Sequence, residues 1–112
     1  MKMPWHISSI VIAFWSAATL AGYERGSDIY DGLKRLDMEP PPQISILALG
    51  YLMGIADQLE TEGKICYSQN TTVSQIAKAS ENYLGLHPEG WNYQASVAVA
   101  AALISSWPCS PR

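Results

Sequence analysis

The proline triplet Pro40-Pro41-Pro42 is the feature that most constrains how this chain of 112 residues can fold. Three consecutive prolines lack backbone N–H groups and have fixed φ angles, so no helix can continue through them. Helical spacing of apolar residues begins directly afterwards and extends from about Gln43 to Leu59, before Gly63. The triplet therefore separates a short N-terminal helix from a second, longer one.

The second helix is apolar around almost its whole circumference, which predicts a place in the centre of the fold or at a dimer interface. Gly50 and Gly54 are four residues apart on one side, where they would let another backbone approach closely. Its apolar run of about 13 residues is too short to span a bilayer. Its apolar residues are Ile44, Ile46, Leu47, Ala48, Leu49, Tyr51, Leu52, Met53, Ile55, Ala56 and Leu59.

Three other helices are predicted from their caps and apolar stripes. Ser27 is the expected N-cap of the first, which runs to about Leu36. Thr72 and Gln75 have capping-box spacing before the third, and Gly85 is expected as its left-handed C-terminal cap. The last helix is predicted from about Asn92 to Trp107; a tail anchor is the alternative, but its polar residues favour a buried helix. The expected buried residues are Val73, Ile76, Ala77, Ser80, Tyr83 and Leu84 on the third helix, and Val97, Ala100, Ala101, Ile104 and Trp107 on the last. The fold class that follows is all-α, a compact four-helix bundle.

The N-terminus has the pattern of a secretory signal peptide. One lysine precedes an uncharged, largely apolar run from Ile7 to Ala21 that ends in small residues. Cleavage is expected after Ala21, with Ala18 as a second possible frame, so residues 1–21 are the signal and 22–112 the mature domain. The alternative is an uncleaved anchor, since about 20 apolar residues can span a bilayer.

Export would place Cys66 and Cys109 in an oxidising compartment, where they are expected to form a disulfide. Loop-closure entropy predicts about 4 kcal/mol of stabilisation from such a bridge. Two buried free thiols are the alternative.

Charge and composition exclude several kinds of function. The net charge is -3, and the 7 lysines and arginines are scattered, which argues against nucleic-acid binding. After signal cleavage His87 is the sole histidine, and no catalytic residues are predicted. His87 and Glu89 would supply only two metal ligands, which makes a metal site or an enzyme centred on them the weakest of the alternatives. No cofactor is expected.

The connection between the third and fourth helices is the candidate binding site. A proline and two glycines restrict its backbone, and it carries His, Glu and Trp side chains, the composition of a protein–protein contact loop. The alternative for Trp91 is that it folds back into the core. The candidate residues are His87, Pro88, Glu89, Gly90, Trp91 and Asn92.

Several short motifs occur in an order that resembles the Rap/Tai family of type VI secretion amidase immunity proteins. The family often has a second cysteine pair, and Gly32 and Ala48 stand at those positions here. It also tends to have proline where this chain has Ser68. The motifs are Gly50-Tyr51-Leu52-Met53-Gly54-Ile55-Ala56-Asp57, Gly63-Lys64-Ile65-Cys66, Thr71-Thr72-Val73-Ser74-Gln75, Tyr83-Leu84, His87-Pro88-Glu89, Ala101-Ala102-Leu103 and Trp107-Pro108-Cys109.

The resemblance implies a helical, commonly dimeric periplasmic protein that blocks a peptidoglycan-cleaving cysteine amidase delivered by neighbouring bacteria. A projecting loop can enter the cleft of the toxin in this family, and His87 to Asn92 is the expected loop here. The face around Tyr51, Leu52 and Ile55 is the expected homodimer contact. After signal cleavage no stable membrane insertion is expected. A small periplasmic acid-stress chaperone is the alternative function, since that class is also small, helical, exported and stapled by one disulfide.

Overall fold

The computed structural model describes residues 24–109, which form four α-helices and no strand. The helices are α1 (Gly26–Lys34), α2 (Gln43–Thr61), α3 (Val73–Leu86) and α4 (Ala95–Ser106), with a short 3₁₀ turn at Pro88–Gly90. This confirms the predicted all-α class. The predicted signal peptide, residues 1–21, lies outside the described residues.

The N-terminus of α1 differs from the prediction. Arg25, not Ser27, is the N-cap, because the backbone N–H of Arg25 donates to Asp28 Oδ2 at 3.0 Å. Ser27 lies inside the helix, and its backbone N–H donates a hydrogen bond to Trp91 O. Asp28 also places negative charge in the first turn of α1, where the helix dipole favours it.

The core face of α2 is narrower than its sequence suggested. Ala48, Leu52, Ala56 and Leu59 are buried, and so is Ser45, whose hydroxyl donates to Gly32 O at 2.6 Å. Leu52 is 0 % exposed, which corrects its assignment to the expected dimer face. The exposed apolar residues of α2 are Ile44, Ile46 and Leu47.

The predicted start of α3 is confirmed and its predicted end is wrong. Gln75 N–H donates to Thr72 Oγ1, and Thr72 N–H donates to Gln75 Oε1, which completes the capping box. Gly85 is an ordinary helical residue, since α3 continues to Leu86 and His87 is the C-cap. Among the described residues only Gly63, directly after α2, has a positive φ, of 74°.

The buried face of α4 was predicted on the wrong side. Val97, Ala101 and Ile104 are exposed, whereas Ala100 and Trp107 are partly buried. The helix is apolar all round, so periodicity could not select a face, and the three buried alanines permit a closer approach than bulkier residues would. The buried residues are Ala95, Ala98, Val99, Ala102 and Leu103.

Packing of α1 on α2 and of α3 on α4 encloses the core. A Cβ added to Gly32 would lie 2.7 Å from the Ala48 Cβ, so the two positions compared above with the second cysteine pair expected from the resemblance lie side by side. At the other end, Cys66 and Cys109 form the predicted disulfide, 43 residues apart in sequence. Cys66 N–H also donates to Trp107 O at 2.9 Å, which ties the loop before α3 to the end of α4.

Candidate functional site

The candidate loop, His87–Asn92, leaves the C-terminal end of α3 as one tight turn. Pro88–Gly90 forms a 3₁₀ turn, in which Trp91 N–H donates to Pro88 O at 3.1 Å. Tyr93 N–H donates to Gly90 O at 3.2 Å just beyond it. The loop is therefore closed by its own backbone hydrogen bonds.

The N-terminus of α1 holds the far side of this loop. The first N–H groups of a helix have no partner inside the helix. Here Gly26 N–H donates to Tyr93 O and Ser27 N–H donates to Trp91 O, both at 3.0 Å. The carbonyl groups of the connection thus complete the hydrogen bonding of α1, and α1 in turn fixes their position.

Two further hydrogen bonds strengthen the attachment of the loop to the chain before α1. Arg25 Nη1 donates to Asn92 O at 2.8 Å, and Ala95 N–H donates to Glu24 O at 2.7 Å. Gly26 is required for steric reasons, because a Cβ there would lie 2.5 Å from Gly90 O. The loop is anchored both through the chain that enters α1 and through the start of α4.

Trp91 points towards the bundle, as the core alternative for this residue predicted. Its Nε1 donates to Leu84 O at 2.8 Å, which satisfies a carbonyl in the last turn of α3. Its ring stacks on Tyr30 with centroids 5.3 Å apart and planes inclined by 22°. Trp91 is half-buried, so its main role is to attach the loop to α1 and α3.

The tip of the loop presents polar groups to solvent. His87 Nδ1 donates to Glu89 Oε2 at 3.0 Å, and the His87 ring stacks on Tyr83 with centroids 4.0 Å apart. Hydrogen bonds from its own backbone N–H and from His87 hold the pKa of Glu89 below the ordinary 4.5. Pro88, Glu89 and Asn92 are exposed, so the surface of the tip is an oriented carboxylate beside a proline.

Comparison with known protein families shows which family this chain belongs to. A family model described as Rap1a immunity proteins matches residues 36–109, which include both cysteines, the loop and helices α2 to α4. The chain belongs to the Rap1a immunity protein family. Searches of curated proteins and of solved structures returned no match.

Membership confirms the resemblance and gives the chain an immunity role against a type VI secretion effector. Immunity proteins of the Rap1a family are generally not enzymes, and they are typically periplasmic. Cys66 and Cys109 are joined in a disulfide, and among residues 24–109 no group of three or more His, Cys, Asp and Glu side chains lies together. Within residues 24–109 no helix is long and apolar enough to cross a membrane.

Two residues that sequence reasoning missed lie immediately beside the loop of this Rap1a family member. The side chains of Leu86 and Tyr93 are 78 % and 54 % exposed, respectively. Leu86 was not recognised as exposed because α3 was expected to end at Gly85, which placed Leu86 in the connection just before the candidate residues. Tyr93 was not recognised as exposed because α4 was expected to start near Asn92, which placed Tyr93 inside a helix.

A second exposed surface, separate from the loop, lies on α2. We call Ile46, Leu47, Gly50 and Gly54 the α2 face. Ile46 is 52 % and Leu47 62 % exposed, and no heavy atom lies within 4 Å of a Cβ built on either glycine. Tyr51 and Ile55, which the sequence placed on a dimer contact, are half-buried beside it.

Proposed function

We propose that this chain is a periplasmic immunity protein that inhibits a type VI secretion peptidoglycan amidase by inserting the loop His87–Asn92 into its active-site cleft. The observation that carries the proposal is the anchored geometry of the loop, which is bonded to α1, α3 and its own backbone at once. A loop already ordered in the free protein loses little conformational entropy on binding. Family membership favours this function over the acid-stress chaperone.

The chemistry of the proposed target fits the tip of the loop. A cysteine amidase carries a Cys–His pair at the bottom of a narrow cleft. When the cysteine of such a pair is a thiolate, the histidine beside it is a cationic imidazolium. Glu89 presents a carboxylate whose lowered pKa keeps it ionised at neutral pH. An exposed anion on a loop held in place by hydrogen bonds is suited to such a cleft. The net charge of -3, which becomes -4 when Lys2 leaves with the signal peptide, favours encounter with a basic toxin.

Inhibition of a purified amidase tests the proposal. Wild-type protein should abolish peptidoglycan hydrolysis by the toxin encoded beside it when the two are equimolar. The double variant His87→Ala/Glu89→Ala removes the ion pair at the tip and should weaken inhibition at least tenfold. The matched control is Lys78→Ala/Glu81→Ala, which removes an exposed ion pair of 3.3 Å on α3 and should inhibit like the wild type.

Failure of the wild-type protein to inhibit any amidase encoded beside its gene would refute the proposed function. Equal loss of inhibition in both double variants would instead refute the role of the loop. Expression in the periplasm should protect cells from the same toxin, whereas a form without residues 1–21 should not. Mass spectrometry of the exported protein should give a mature N-terminus at Gly22, or at Thr19 if cleavage follows Ala18.

We also propose that a second copy of the chain packs on the α2 face, with Tyr51 and Ile55 at its margin. Ile46 and Leu47 are large and exposed, while Gly50 and Gly54 leave space beside them. Two copies can therefore place large side chains of one copy over the glycines of the other. Light scattering after gel filtration should show a dimer that Leu47→Glu makes monomeric, and that Val73→Glu, at a residue 48 % exposed on α3, leaves intact. A monomeric wild-type protein would contradict this.

A further inference from the structure

We infer that Leu86 and Tyr93 contact an apolar rim around the cleft of the effector and supply most of the apolar contact area of the complex. This inference rests on the proposed function, because it assigns a surface to the same partner. The loop His87–Asn92 would fill the cleft, and these two residues, which we call the loop flanks, would lie against its margins.

Both loop flanks are large hydrophobic side chains that are more than half exposed. At 78 %, Leu86 is the most exposed large hydrophobic side chain among residues 24–109, and Tyr93 at 54 % is the next residue of this kind along the chain. Leu86 is the last residue of α3, and Tyr93 comes directly after the loop. The two therefore stand on either side of the residues proposed to enter the cleft.

The backbone beneath both flanks is ordered, so their exposure does not come from loose packing. Tyr93 O accepts from Gly26 N–H and Tyr93 N–H donates to Gly90 O. Leu86 ends a helix whose next residue, His87, donates its N–H to Leu84 O at 3.2 Å. Only side-chain rotamers remain to be fixed on binding, which keeps the entropy cost of the contact low.

The loop itself lacks the apolar anchors that tight binding requires. The aromatic residue of the loop, Trp91, stacks on Tyr30 and donates a hydrogen bond to Leu84 O. The exposed tip of the loop is formed by Pro88, Glu89 and Asn92. Protein interfaces draw most of their energy from a few large side chains, often Tyr, that lose water on binding. The flanks directly adjoin the loop in sequence, and both are large, exposed hydrophobic side chains that could supply such anchors.

The charge pattern specifies the kind of surface that would receive them. An ionised carboxylate, Glu89, lies between two uncharged apolar groups. The complementary partner is an effector whose cleft has a cationic or hydrogen-bonding bottom and apolar walls. A second copy of this chain does not offer that arrangement at the α2 face, because residues 46–57 contain no lysine, arginine or histidine.

The experiment measures the dissociation constant of the purified amidase with wild type, Leu86→Ser and Tyr93→Ser by biolayer interferometry. Each flank variant should raise Kd by roughly 30-fold, the size of a strong interface contact. Val73→Ser is the matched control, because it replaces an apolar side chain of 48 % exposure outside the loop and should leave Kd unchanged. All three should keep the wild-type thermal melting curve, since each residue is exposed.

The outcomes separate this inference from the proposed function. If the wild-type protein binds no amidase, the proposed function fails. If the wild type binds and inhibits while both flank variants retain its Kd, the inference fails and the proposed function stands. Gel filtration provides the remaining test: flank variants that turn a wild-type dimer into a monomer would show that the surface serves self-association, which overturns the inference.

Discussion

Gly50 and Gly32 offer a matched pair of glycine-to-alanine substitutions on neighbouring helices. Gly50 lies in the middle of α2, and a Cβ built there meets no heavy atom within 4 Å. Glycine inside a helix costs about 0.5–1 kcal/mol relative to alanine, because it loses more backbone entropy on folding. Gly50→Ala should therefore raise the free energy of unfolding by up to about 1 kcal/mol.

Gly32 has the opposite surroundings. A Cβ there would lie 2.7 Å from the Ala48 Cβ and 2.8 Å from Ile44 O, so α1 and α2 would have to move apart. Overpacking of this kind costs about 1–3 kcal/mol, and the same gain in helix propensity offsets only part of it. Gly32→Ala should therefore lower the free energy of unfolding by roughly 1–2 kcal/mol.

Urea unfolding followed by circular dichroism measures both effects. With an m value of about 1–3 kcal/mol per molar urea, the Gly50→Ala midpoint should rise by roughly 0.3–1 M and the Gly32→Ala midpoint should fall. Runs at two protein concentrations tenfold apart reveal any contribution from dimerisation through the α2 face. A Gly32→Ala variant as stable as the wild type would refute the close packing of α1 on α2. A concentration-independent loss of stability in Gly50→Ala would refute the open space beside that residue.

Three further predictions test the rest of the fold. Replacing Cys66 and Cys109 by serine should lower the free energy of unfolding by about 4 kcal/mol, because the bridge closes a long loop; a melting temperature unchanged by reducing agent would contradict this. Ser80 Oγ is buried without a hydrogen-bond partner among the described residues, so Ser80→Ala should raise stability by about 1 kcal/mol in chemical denaturation. The pKa of Glu89 is lowered in the folded state, so its stabilising contribution is present above pH 4.5 and is lost as the pH falls through the folded pKa. The melting temperatures of wild type and Glu89→Gln should therefore differ most at neutral pH and converge in acid, and a difference that grows in acid would contradict the assignment.

The sequence predicted those elements whose signals are local. The capping box of Thr72 and Gln75 is a contact between residues three apart, and the structure contains it. The proline triplet and Gly63 likewise bound α2 through their own backbone preferences. Cys66 and Cys109 required only the expectation of an oxidising compartment, since the chain has no third cysteine to pair with.

The errors occurred where a distant contact overrides a local signal. Ser27 is a good N-cap residue, but its N–H donates to Trp91 O, 64 residues away in sequence, so α1 begins earlier. Gly85 is a good C-cap residue, but the Tyr30 hydroxyl packs where its Cβ would be, at 2.9 Å, so glycine serves packing there. Such partners cannot be read from spacing along the chain. For the same reason the flanks Leu86 and Tyr93 became visible only with the structure.

The anchoring of the loop makes α1 part of the proposed binding site, although the family match begins after α1 at residue 36. Glu24 O, Gly26 N–H and Ser27 N–H each hydrogen-bond a residue between Trp91 and Ala95, so Glu24 and the start of α1 position the loop. Under the proposed processing after Ala21, Glu24 is the third residue of the mature protein, and it holds Ala95 through its backbone carbonyl. Removal of residues 22–25 should therefore loosen the loop, because it removes the hydrogen bonds of Glu24 O to Ala95 and of Arg25 to Asn92 while the bonds from Gly26 and Ser27 remain. Inhibition should weaken, and the melting temperature should change little. The loop proposed to enter the cleft is therefore held in part by Glu24 and Arg25, the two residues that precede α1.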